Sequence, residues 1–80
     1  MAASDVYDDL ADSYSMTSAE YKSLGGLEFS LGRNDLASGR WGDAVSAFSE
    51  GAQYYADAAQ ADMYASLYRT IASTLRAGGN

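Results

Sequence analysis

Eighty residues with eleven acidic and five basic side chains, a net charge of −6 and no cysteine, histidine or proline describe one small acidic domain without a disulfide or a thiolate or imidazole metal staple. A chain of this length buries only about 60% of the surface its unfolded form exposes, so self-association is a natural supplement to its core. The charge repels phosphate backbones and anionic lipid, and the missing histidine and cysteine remove the commonest general base and nucleophile.

Residues 4–15 read as a short acidic helix. Ser4 can cap it, Asp5 and Asp8 suit the positive end of its dipole, and Val6, Leu10 and Tyr14 share a face. Thr17-Ser18-Ala19-Glu20 is a capping box and predicts a second helix over 18–38, with Leu24, Leu27, Leu31 and Leu36 along it. Gly25-Gly26 inside that helix costs roughly 1 kcal/mol per glycine relative to alanine, which implies a kink or a close approach by a neighbour. Gly39 is the expected stop, in the left-handed cap that glycine occupies without strain. A third helix is expected over 42–56, with Trp41, Val45, Phe48, Ala52 and Tyr55 as its stripe. Asp57-Ala58-Ala59-Gln60 resembles another capping box and opens a fourth over 58–77, where Met63 or Tyr64, Leu67, Ile71 and Leu75 follow at four-residue steps. No proline divides residues 42–77, so one long helix is the rival there. Gly78-Gly79-Asn80 reads as a tail. The expected fold is all-α: a three- or four-helix bundle built on an antiparallel helical hairpin, one domain over 1–80. Its expected core is Leu31, Leu36, Trp41, Ala44, Phe48, Leu67 and Ile71, with Trp41 and Phe48 buried in the hairpin seam.

Leu31-Gly32, Gly39-x-Trp41, Ala44, Phe48 and Gly51 follow the spacing of a tetratricopeptide repeat, and residues 25–57 resemble one such unit. Glu28 and Asp35 stand where that pattern has large aromatic residues, no proline ends the unit, and no second copy follows. The resemblance implies a hairpin that holds a peptide or partner helix. The turn Gly39-Arg40-Trp41-Gly42, in an acidic, alanine-rich helical chain, also resembles the small helical-hairpin substrates of type VII secretion. Here tryptophan and glycine are adjacent instead of spaced, and Tyr54 and Tyr55 are followed four residues on by Ala58 and Ala59 instead of an acid. That resemblance implies an exported hairpin.

Asp5, Asp8, Asp9 and Asp12 form two i, i+4 carboxylate pairs of a kind that can grip a divalent cation. No calcium-loop pattern accompanies them, and they read as a solvated helix face. Seven tyrosines is a high count. Tyr7, Tyr14 and Tyr21 recur at seven-residue spacing and Tyr64 and Tyr68 lie one turn apart, which suits either the rim of a small core or an interface. Tyr14, Tyr21, Tyr64 and Tyr68 are the candidate interface residues. The glycines accompany no phosphate-binding pattern, and a hydroxyl–lysine pair using Lys22 would be the basis of a small enzyme built on Asp, Tyr and Lys groups.

The sequence therefore predicts a non-catalytic module for protein–protein interaction or self-association. Its expected partner is itself, as a homodimer or higher oligomer, or another protein, with no nucleic acid, membrane, metal or cofactor involved. Met1-Ala2-Ala3-Ser4-Asp5 lacks the basic and apolar regions of a signal peptide, and no segment approaches the ~18 apolar residues of a membrane span, so a cytoplasmic location is expected. Scarce lysine (Lys22 alone) and abundant carboxylate match the composition of a halophile's protein, in which molar salt screens like charges.

Overall fold

Two helices account for nearly all of the chain. A computed structural model describes residues 2–79, in which α1 spans Ala3–Ala37 and α2 spans Trp41–Ala77, joined by a turn over 38–40. They pack antiparallel as a hairpin 61 Å long and 15 by 11 Å across. The radius of gyration, 17.9 Å, exceeds the roughly 12 Å of a compact chain of this length. The molecule is a rod.

The fold is all-α, and the bundle expected from the sequence is replaced by two uninterrupted helices. The separate helices expected at 4–15 and 18–38 are one element of 35 residues, and those at 42–56 and 58–77 are one of 37. Both capping-box sequences lie inside a helix. Their serine, threonine and aspartate side chains favour a helix start only where backbone N–H groups are unpaired, and here the chain before them is already helical. Gly25-Gly26 neither ends nor divides α1.

The turn follows from Gly39, whose φ of +75° is open to glycine without strain. Gly39 N–H donates to the Leu36 carbonyl (3.0 Å) and Arg40 N–H to the Asp35 carbonyl (2.8 Å), the paired closure of a Schellman cap. Asp35 is buried, and its Oδ1 accepts from Arg40 Nε at 3.1 Å and from an Arg40 terminal nitrogen at 2.9 Å. Arg40 thus closes the cap with its backbone and neutralises a buried carboxylate with its side chain. Beyond α2, Gly78 accepts the helix end and Gly79 has φ of +87°; Met1 and Asn80, the latter expected in the tail, lie outside the described residues.

The core is a seam of small side chains. On α1 the buried positions Ser4, Ala11, Ser18, Gly25 and Gly32 recur every seven residues, and on α2 Ala44, Gly51, Ala58, Ala65 and Ala72 do the same, with Ala47 and Ala61 between them. A strict seven-residue repeat keeps one line of each helix facing its partner, and residues without bulk let the two backbones close. The two backbones approach closely where Gly25 meets Gly51: a Cβ on either would lie 3.2 Å from the other's carbonyl oxygen.

This narrow seam overturns most of the expected core. Ala44 is buried and Phe48 is half-buried. Leu31, Leu36, Trp41, Leu67 and Ile71 are exposed, Trp41 at 67% and Leu67 at 52%. A four-residue apolar stripe assumes a partner wide enough to receive leucines. The approach of glycine and alanine backbones excludes them and turns them outward.

Candidate interaction surface

Both long edges of the seam carry rows of larger side chains, because positions flanking a seven-residue repeat repeat every seven residues themselves. Along one edge run Asp8, Ser15, Lys22 and Phe29 of α1, facing Phe48, Tyr55, Asp62, Arg69 and Arg76 of α2. Arg76 pairs with Asp8 at 2.6 Å, Arg69 reaches Ser15 Oγ at 2.9 Å and Asp12 at 3.5 Å, and Lys22 Nζ lies 3.1 Å from Asp62. The nearby buried Ser18 hydroxyl, whose Oγ makes no hydrogen bond of good geometry, and the Lys22 ammonium hold the Asp62 carboxyl below its ordinary value. Toward the turn the ion pairs give way to rings: Phe29 packs between Phe48 and Tyr55, with centroids 5.5 Å from each. Those two rings cover Gly32 and Gly25, where an added Cβ would come within 2.7 and 2.9 Å of ring carbon. This edge carries the cross-helix ion pairs and the ring cluster, beside a shallow polar groove lined by Ser15, Asp62, Ser66, Arg69, Thr70 and Ser73.

The opposite edge is lined by tyrosines. Tyr7 stacks on Tyr68 at 5.8 Å, Tyr14 lies between Tyr64 (5.3 Å) and Tyr68 (5.7 Å), and Tyr21 tilts against Tyr54 at 6.2 Å. All four candidate interface residues, Tyr14, Tyr21, Tyr64 and Tyr68, therefore lie on one edge, with Tyr14 stacked on both Tyr64 and Tyr68. Tyr14, Thr17, Tyr21, Asp57, Gln60, Ala61 and Tyr64 line a shallow groove there. Outside the rings are exposed aliphatic side chains. Leu10, Leu24 and Leu31 each follow by three residues a member of the row Tyr7, Tyr14, Tyr21, Glu28, Asp35, while Leu67 and Ile71 follow Tyr64 by three and seven. Helical spacing sets each of them beside the ring row.

Charge is unequal along this edge. From Tyr21 and Asp57 to the chain ends its rows hold tyrosine, leucine, isoleucine, threonine, alanine and glutamine, with Asp57 as the charged group in the groove. Toward the turn, Glu28, Asp35, Asp43 and Glu50 line a cleft with Leu31, Ser46 and Ala47, and Arg40, on Asp35 and 4.0 Å from Asp43, is the base among them.

The sequence-based metal candidates are drawn into other work. Asp8 and Asp12 pair with arginines, and Asp5 accepts a hydrogen bond from the Ala2 backbone at 3.2 Å. Among the described residues no cluster of three metal-ligating side chains forms, and no helix is long and apolar enough to cross a membrane. Lys22 sits on Asp62, on the edge opposite the tyrosine stacks. What sequence reading missed was the repeat of small residues at 4, 11, 18, 25, 32 and 44, 51, 58, 65, 72; the same seven-residue spacing of Tyr7, Tyr14 and Tyr21 signalled it. No protein-family model, curated protein or solved structure significantly matches the chain.

Proposed function

We propose that this hairpin is a non-catalytic interaction module that binds a protein partner through helix-on-helix packing on its tyrosine edge. One observation carries the reading: the seam between the helices is filled with small residues, so the large apolar side chains that would normally form a core are outside. Leu10, Leu24, Leu67 and Ile71 beside the tyrosine stacks, with Leu31 at the acidic cleft, expose apolar area of the kind that marks interaction sites, and tyrosine suits it by offering area with a polar handle.

The triple substitution Leu10→Ser, Leu24→Ser and Leu31→Ser tests this. These side chains are exposed in the single hairpin, where surface changes typically cost within about 0.5 kcal/mol each. Buried in an assembly, each leucine contributes about 1.5–3 kcal/mol. The wild-type melting temperature is expected to rise with protein concentration, and the variant's to lose that dependence. Identical concentration-independent melting of both proteins would contradict self-association through this edge and restrict the reading to a partner of different sequence.

The Gly-Arg-Trp-Gly turn between two helices of near-equal length supports a second reading, an exported helical-hairpin substrate similar to those of type VII secretion. A neighbouring gene for a secretion ATPase would favour it; retention of the chain in cells with an active secretion apparatus would argue against it.

A further inference from the structure

We propose that the tyrosine edge is covered by a second copy of this chain, turned end for end, forming a two-fold four-helix assembly in which the tyrosine half of each hairpin lies on the acidic half of the other. This rests on the reading of that edge as an interaction surface and specifies its occupant.

Size is the first argument. A face of a rod 61 Å long and 11–15 Å across is on the order of 800 Å², which is what each partner contributes to a standard stable interface. Charge is the second. With turn ends together, two clefts lined by Glu28, Asp35, Asp43 and Glu50 would face each other with an Arg40 from each chain as the available base. Like charges juxtaposed in an interface cost several kcal/mol. End-for-end pairing separates the two clefts and sets each against the tyrosine half of its neighbour, where Asp57 is the groove's carboxylate, so that Glu20 is the acid that meets its own copy. The phenol hydroxyls on the Tyr14, Tyr64 and Tyr68 side can then donate to carboxylates, and such charge-assisted bonds are roughly twice as strong as neutral ones.

Register follows from the leucines. In this arrangement α1 runs against the α1 of the other copy, and pairing Leu10 with Leu31 also pairs Thr17 with Leu24. The two-fold axis then passes between residues 20 and 21. At 1.5 Å rise per residue, the two copies of residue 38 stand about 50 Å apart, while the two copies of residue 20 stand side by side.

The chain has no cysteine, so Glu20→Cys and Ser38→Cys each accept one spin label at an exposed position. Pulsed dipolar spectroscopy in 2 M salt, with the mass measured by light scattering on the same samples, reads both distances. The expected result is a doubled mass, a short Glu20→Cys distance and a Ser38→Cys distance near 50 Å. A doubled mass with Ser38→Cys labels close together would overturn the end-for-end arrangement and leave the interaction surface standing. A mass of one chain with no dipolar coupling at either site would overturn self-pairing and leave a partner of different sequence as the occupant.

Discussion

Gly25 and Gly26 are neighbours in sequence with opposite roles. A Cβ on Gly25 would meet the Tyr55 ring at 2.9 Å and the Gly51 carbonyl at 3.2 Å, whereas one on Gly26 would meet only the Tyr55 hydroxyl, at 3.7 Å. Gly26→Ala should therefore gain the helix propensity of alanine, about 1 kcal/mol, and raise the melting temperature. Gly25→Val forces the backbones apart and should lower stability by about 1–3 kcal/mol. Thermal melts followed by circular dichroism check both, and equal effects would contradict the tight seam. At the turn, Arg40→Met leaves the buried Asp35 carboxylate without its two side-chain donors, an expected loss of about 1–3 kcal/mol, measurable as a lower denaturation midpoint. Phe48, half-buried over Gly32, is where sequence reading located a seam aromatic; Trp41, one heptad earlier, is exposed because it begins α2 where no comparable ring of α1 receives it.

At the scale of the helix pair, the two edges separate structure from display. The ion-paired edge fixes the relative slide of α1 and α2 through contacts 40 to 68 residues apart in sequence. Asp62, held low by Ser18 and then Lys22, contributes stability above the ordinary carboxyl value of 3.8 that is lost as pH falls through its lower folded value. Ser18→Ala and Lys22→Met should each move the Asp62 midpoint up toward 3.8, as read by carboxyl NMR titration; an unmoved midpoint in both would show that neither partner holds it. The helical character and the turn at Gly39 were legible in sequence, since glycine punctuation and the lack of strand patterning are local signals. Helix number was not, because Thr17-Ser18-Ala19-Glu20 and Asp57-Ala58-Ala59-Gln60 have the composition of a helix start wherever they occur. Apolar bulk, the usual mark of burial, does not identify this core, because the buried line is made of serine, alanine and glycine. The tyrosine cluster was legible because its seven-residue spacing is the spacing of the seam beside it.

For the whole molecule, a rod with a small-residue seam and a surplus of exposed leucine and tyrosine at a charge of −6 sets two tendencies in opposition. Apolar area favours association and carboxylate repulsion resists it. Salt should decide between them, because at molar ionic strength the screening length falls to about 3 Å. Helicity and melting temperature are expected to rise from 10 mM to 2 M sodium chloride, and identical melting at the two concentrations would remove electrostatic repulsion from the account. The mass in solution tests the central claim that the tyrosine edge is a self-association surface. Light scattering at micromolar concentration in 2 M salt should give a multiple of the 8.5 kDa chain, and the Leu10→Ser, Leu24→Ser, Leu31→Ser variant should give a single chain; a wild-type protein that stays at one chain mass under those conditions, with its helices intact, would contradict self-association through that edge.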